Sequence, residues 1–266
     1  MSDDRLPPPG PRRFLRSVPP RLLIPNVITL IALCLGLTAI RFAFEGSIEW
    51  AVTAIGVAAV LDGLDGRIAR ALKGVSRFGA ELDSLADFVD FGVAPAVVLY
   101  VAVLHHLKGI GWFVALVFAV ACALRLARFN VMLDDPTSPP WRKNFFVGMP
   151  APAGAIVGLL PIYLRAPFGF AADAPGWFAP DAIYVFAVAL LMASRIPHFS
   201  GKSIGRVPRE HLAVVLIAVV GAVVLFSFFP TQALAALALL YLATIPFSIR
   251  RYRALEAESK AAPSAQ

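Results

Sequence analysis

Apolar runs separated by short polar breaks fill this chain from residue 23 to residue 250. Eight stretches have roughly the length and composition of bilayer spans: 23–44, 50–72, 81–104, 110–131, 149–165, 182–197, 211–229 and 233–250. A helical span needs about 20 predominantly apolar residues, so the fifth and sixth, being short or interrupted by proline, have soft limits. The pattern predicts an all-α integral membrane protein with about eight transmembrane helices. Residues 1–20 (MSDDRLPPPGPRRFLRSVPP) are polar, basic and proline-rich, without the apolar core and small-residue cleavage site of a signal peptide. They read as a disordered cytoplasmic lead-in. Residues 21–253 form the membrane domain, and 254–266 read as a disordered tail.

Composition agrees. Of 266 residues, 59% are hydrophobic and 15% charged, against about half and about a quarter in a soluble domain. Cys34 and Cys122 both lie in apolar runs, which argues against a disulfide framework. The net charge of +7 is explained by its distribution. With the N-terminus placed inside, 21 of the 24 Lys and Arg residues fall in cytoplasmic loops or ends, and only Arg41, Lys108 and Arg165 fall outside. That asymmetry is the positive-inside pattern for an even number of spans with both termini cytoplasmic. It calls for anionic lipid rather than nucleic acid as the partner of the basic residues.

The polar exceptions carry the chemistry. Asp62 and Asp65 close the second apolar stretch, and Asp83 and Asp87 open the third, so all four face the same side, the cytoplasm. Carboxylates at a bilayer are costly and call for a reason. Three- and four-residue spacings put each pair on one helical face. A tight turn would bring the pairs together, where like charges repel unless cations intervene. Hard divalent ions with oxygen ligands, Mg²⁺ or Mn²⁺, suit such a set, and two of them would bridge phosphate oxygens. Gly66, Gly79 and Ala69 leave space for a ligand near the backbone, and Arg70 offers a phosphate-matching fork. Asp87, at the edge of the set, is the geometric choice for a general base.

The ordered pattern Asp62-x-x-Asp65-Gly66-x-x-Ala69-Arg70, eight residues, Gly79-x-x-x-Asp83-x-x-x-Asp87 resembles in full the signature of the CDP-alcohol phosphotransferases. The resemblance implies a six-helix membrane core, a homodimer, and transfer of a substituted phosphate from a CDP-linked donor to an alcohol with release of CMP. It implies metal ligation by Asp62, Asp65, Asp83 and Asp87, proton abstraction by Asp87, and a CDP pocket lined by Gly63, Gly66, Ala69, Arg70 and Gly79. Asn26 reads either as a helix cap or as a CDP contact, with Thr29 one turn on to assist. The runs IPNVITL (24–30), ELDSLADFVDFGVAPA (81–96), ALRLARFNV (123–131) and FVGMPAPAGA (146–155) are similar to the phosphatidylserine synthase branch. This implies CDP-diacylglycerol as donor and L-serine as acceptor at the inner membrane of a bacterium.

A cation is then needed for the serine carboxylate or a lipid phosphate. Arg125 and Arg128, or Lys202 and Arg206, are candidates, though each pair also suits a loop anchor. Asp90 departs from the branch, which leads one to expect a small polar residue there. His105 and His106 read as interfacial and His198 as structural. Rival readings keep the chemistry with another alcohol (glycerol 3-phosphate or inositol phosphate), or make the chain a cation transporter or a non-catalytic scaffold. The transporter would carry its carboxylates deep inside spans, and the scaffold would not need Gly66, Gly79 and Arg70.

Overall fold

The computed structural model describes residues 20–72, 74, 76–133, 145–168, 176, 178–199 and 212–261. Ten α-helices dominate it: α1 (Pro20–Phe44), α2 (Ile48–Ala71), α3 (Arg77–Phe88), α4 (Ala94–Ala102), α5 (Lys108–Leu133), α6 (Ala151–Gly158), α7 (Leu160–Phe168), α8 (Phe178–Ala193), α9 (Leu212–Phe228) and α10 (Pro230–Ala261). A π-turn, Val89–Val93, joins α3 to α4 without a break, and a 3₁₀ turn, Leu104–Leu107, leads into α5. Among the described residues, four stretches are long and apolar enough to cross a membrane: Leu23–Phe44, Arg77–Ala102, Leu104–Met132 and Pro230–Leu255. Shorter apolar helices cover Ala151–Arg165, Phe178–Ala193 and Leu216–Phe228. α2 is 24 residues long, but Glu49, Asp62, Asp65 and two arginines break its apolar run. The chain is thus a mostly helical, membrane-embedded protein.

α1 and α2 form an antiparallel hairpin, turning at Gly46 with φ of +77°, a conformation glycine adopts without a side-chain penalty. Ala32, Ala39 and Ala43 of α1, with Ala51, Ala54 and Ala58 of α2, are buried. Small residues let membrane helices approach closely, where dispersion rather than the hydrophobic effect holds them together. Phe91, Leu99, Phe118, Met149, Tyr163 and Met192 fill the centre of the bundle.

Several elements differ from the sequence expectation. Asn26 sits six residues inside α1, so it is not that helix's cap. Helicity in α10 continues past Arg253 to Ala261, into residues expected to be disordered. The run RALEAESKA is built of strong helix formers. Residues 1–19 and 262–266, with Lys202 and Arg206, lie outside the described residues. A two-stranded sheet also forms: β1 (Phe145–Val147) pairs antiparallel with β2 (Pro197–Phe199), His198 opposite Phe146. Three-residue strands carry too little alternation to read from sequence. β2 is tied to α10, because Ser248 donates to the Pro197 carbonyl at 2.9 Å and the Tyr241 hydroxyl meets His198 Nδ1 at 3.0 Å.

Candidate active site

The turn between α2 and α3 is the foundation of the site. Ser76 is extended (φ −132°, ψ 154°) and its hydroxyl accepts from the Gly79 amide at 3.0 Å, an N-cap that starts α3 immediately before the second aspartate pair. Such a cap contributes about 1 kcal/mol. Ser followed by a helix-forming run is the sequence signal for it. A β-carbon on Gly79 would lie 2.8 Å from Asn26 Oδ1 and 3.1 Å from Ser76 Oγ. Glycine is therefore needed here for the close approach of α1.

Asp62, Asp83 and Asp87 each present a carboxylate oxygen within 4.8 Å of the others. Carboxylates that close repel unless a proton or cation lies between them. Three half-buried hard-oxygen donors converging in this way suit a divalent metal ion. Asp65 stands apart from the trio. It is 4% exposed and its Oδ2 accepts a 2.6 Å hydrogen bond from the Thr29 hydroxyl of α1. Asp62 thus faces α3 while Asp65 faces α1. Thr29 was expected beside the ligand; its carboxylate partner is added by the structure.

A cleft of about 170 Å³ opens next to the carboxylates. Its walls include Asn26 and Thr29 of α1, Gly66, Ala69 and Arg70 of α2, and Gly79 of α3, with Asp65 and Asp83 on the floor. Six of the seven residues expected around the CDP group therefore meet in one place. Gly63, the seventh, is exposed, and a β-carbon added to it would meet nothing within 4 Å. Pro25, Gly74, Ser76 and Ala80 complete the lining, and none of them is assigned to the site from the sequence.

The basic candidates separate. Arg125 is buried, 7% exposed, with its guanidinium carbon 5.2 Å from the Phe129 ring centre and Asp87 and Asp62 within electrostatic range. Arg128 does not share that environment. Its Nη1 donates to the carbonyls of Ala193 and Ser194 at 2.8 and 2.9 Å, where it caps the C-terminus of α8. The expected pair is therefore one cation at the carboxylates and one structural clamp. Ser84 and Asn130, which lie within the runs 81–96 and 123–131 but have no role assigned there, join α3 to α5 through a 3.0 Å bond from Asn130 Nδ2 to Ser84 Oγ. His198 is buried and uncharged in character, its imidazole pushed down to about 4 by burial.

Carboxylates, an arginine and two glycines thus gather around one cleft of a membrane-embedded helical bundle, an arrangement that suits an enzyme handling a phosphate group. The chain belongs to the CDP-alcohol phosphatidyltransferase family, whose model matches residues 22–193. It is 44% identical over 243 residues, 90% of this chain and 78% of the relative, to the CDP-diacylglycerol–serine O-phosphatidyltransferase of Mycobacterium leprae. It is 42% identical over 235 residues to the Mycobacterium tuberculosis protein of that name, covering 87% and 79%. A Helicobacter pylori protein, also so named, is 35% identical over 180 residues, covering 68% and 74%.

Proposed function

We propose that this chain is a phosphatidyltransferase of the bacterial inner membrane, moving the phosphatidyl group of CDP-diacylglycerol onto the hydroxyl of L-serine to give phosphatidylserine and CMP. The observation that carries this reading is the meeting of the signature carboxylates with one cleft lined by Asn26, Gly66, Arg70 and Gly79, in a chain over 40% identical to proteins named for that reaction. The loop-charge asymmetry supports eight spans, both termini cytoplasmic and a cytoplasm-facing site. Family likeness supports a homodimer.

Asn26, Thr29, Gly63, Gly66, Ala69, Arg70 and Gly79 bind the CDP group, with Arg70 pairing to phosphate. Asp62, Asp65, Asp83 and Asp87 hold two divalent ions, Mg²⁺ or Mn²⁺, which when bound supply charge stabilisation at the pyrophosphate. Asp87 takes the proton from the serine hydroxyl. The serine oxygen forms a bond to the phosphorus that carries diacylglycerol, while the bond from that phosphorus to the CMP oxygen breaks. CMP leaves with the electron pair. Arg125 receives the serine carboxylate. Arg128 steadies α8 behind it, and Lys202 and Arg206 remain candidates for the lipid phosphate.

The test is turnover. Protein purified in detergent is given CDP-diacylglycerol with labelled serine, glycerol 3-phosphate or inositol phosphate, with and without chelator. Chelator-sensitive phosphatidylserine formation is expected. Turnover of a phosphorylated alcohol without serine incorporation overturns the acceptor assignment.

A further inference from the structure

Asp90 is left without a role by this chemistry. It is 1% exposed, and its Oδ1 is buried with no hydrogen-bond partner. An ionised carboxylate in that position is costly unless a cation or a set of donors reaches it. Two features of the fold hold it there. The π-turn Val89–Val93 interrupts the α-helical register between α3 and α4 and carries Asp90 within it; single π-turns inside α-helices recur at functional sites. Opposite, on α1, Gly36 lacks the β-carbon that would overlap the Asp90 carboxylate. The space is therefore occupied by the carboxylate because α1 provides none of its own side chain there.

The surroundings fix what Asp90 can recognise. Asp87 lies three residues earlier on the same continuous helix, about 4.5 Å along its axis. Asp62 is within electrostatic range on α2. Arg125 approaches Asp87 and Asp62 from α5, and no bond from it to Asp90 Oδ1 is present among the described residues. Arg125 thus faces the carboxylates of Asp87 and Asp62, and Asp90 follows Asp87 by about one turn on the same continuous element. An amino acid with a hydroxyl on the adjacent carbon is the acceptor that uses all three: hydroxyl to Asp87, carboxylate to Arg125, ammonium to Asp90. A phosphorylated alcohol brings only negative charge and would face Asp90 with nothing to offer it.

Building on the serine reading, we infer that Asp90 is a specificity-determining residue that receives the ammonium group of the acceptor. Sites built to pair a polar group reject analogues that lack it far more strongly than they reject a changed methylene. Asp90 therefore selects against hydroxy acids and phosphorylated alcohols.

The test compares L-serine with 3-hydroxypropionate, which keeps the hydroxyl and carboxylate and lacks the amine. In the unaltered enzyme, 3-hydroxypropionate is expected to compete with labelled serine at least about tenfold more weakly than unlabelled serine does. Equal competition overturns the inference. Asp90→Asn is expected to raise KM for serine at least about tenfold, to leave KM for CDP-diacylglycerol unchanged, and to lose the preference for serine over 3-hydroxypropionate. It keeps the side chain's size and removes an unpaired charge, so its Tm without serine is expected to equal or exceed that of the unaltered enzyme. An unchanged KM for serine, or a lowered Tm with parallel losses for both substrates, overturns the inference. Gly36→Ala, which displaces the carboxylate without changing its charge, is expected to raise KM for serine in the same way, and an unchanged KM there also counts against it. Failure of the unaltered enzyme to incorporate serine at all would refute the activity reading instead, so the two failures are separable.

Discussion

Thr29→Val tests the hydrogen bond by which α1 reaches the carboxylate set, and removes with it the same hydroxyl's weaker 3.1 Å approach to the Pro25 carbonyl within α1. Valine keeps the β-branched shape and removes the hydroxyl that donates to Asp65 Oδ2 at 2.6 Å. Thr29 is 6% exposed and Asp65 4%, so water does not readily replace the lost donor. A hydrogen bond to a charged partner contributes about 1.5–3 kcal/mol. At about 1.4 kcal/mol per decade, that is roughly ten- to a hundredfold. The same range is typical when a partner that orients a metal ligand is removed. If Asp65 is a ligand, the loss falls on metal binding. The apparent Mg²⁺ or Mn²⁺ concentration for half-maximal activity rises by about that factor, and saturating metal restores most of kcat. Thr29→Ser returns the curve towards the original. Phosphatidylserine formation measured across a metal titration reads this directly. An unchanged metal curve, with only a lowered Tm, would refute the reasoning and leave Thr29 as a helix-to-helix tether and Asp65 as a cleft wall.

Other expectations are shorter. Asp87→Asn removes the proposed base and a ligand together, and kcat is expected to fall by about a hundred- to ten-thousandfold, read from CMP release; near-original turnover would dismiss Asp87 from proton transfer. Gly79→Ala places a methyl group 2.8 Å from Asn26 Oδ1 and 3.1 Å from the capping Ser76 Oγ, so one of these contacts must loosen. Loss of a bond of about 1 kcal/mol raises KM for CDP-diacylglycerol about fivefold, and an unaltered KM would mean that Asn26 does not hold the donor. His198 titrates near 4 when folded, below its ordinary 6.5, because burial disfavours the imidazolium. The unfolded chain therefore binds a proton that the folded chain refuses, and His198's contribution to stability is complete above about pH 6.5 and lost as pH falls towards 4. Melting temperatures at pH 7.5 and 5 are expected to differ less in His198→Phe than in the unaltered protein; an equal difference removes His198 as the cause.

The convergence of Asp62, Asp83 and Asp87 was legible because helical spacing needs only local information. Asp83 and Asp87, four apart, stand on one face of α3, and Asp62 meets them from α2. Asp65 falls in the same group by that logic and in part escapes it. A residue three positions on is rotated by about 60° from its neighbour, so its direction depends on what lies beside each flank. Thr29, 36 residues away in sequence, supplies that for Asp65. Arg125 and Arg128 show the same effect, since their spacing is local and their partners, Asp87 and the end of α8, are not. The π-turn at Val89–Val93 was invisible for a different reason. It is a change in hydrogen-bond register within a continuous helix, and Pro95, two residues beyond it, reads from sequence as a kink or a helix start rather than as a π-turn.

These long-range partners explain how the fold tolerates so much like charge. Between helices in lipid there is little hydrophobic drive to offset carboxylate repulsion, so the elements that carry Asp62, Asp65, Asp83, Asp87 and Asp90 must be fixed by other means. Alanines on both sides of the α1–α2 contact permit close packing. Ser76 fixes where α3 begins, and Asn130 ties α3 to α5 through Ser84. α1 then serves the carboxylates it passes: Asn26 against Gly79, Thr29 on Asp65, and Gly36 against Asp90. One helix thereby lies against the cleft, against Asp65 and against the residue proposed to choose the acceptor. Substitutions along its inner face should consequently change donor binding, metal dependence and acceptor choice separately, in order of depth, rather than weaken the enzyme uniformly.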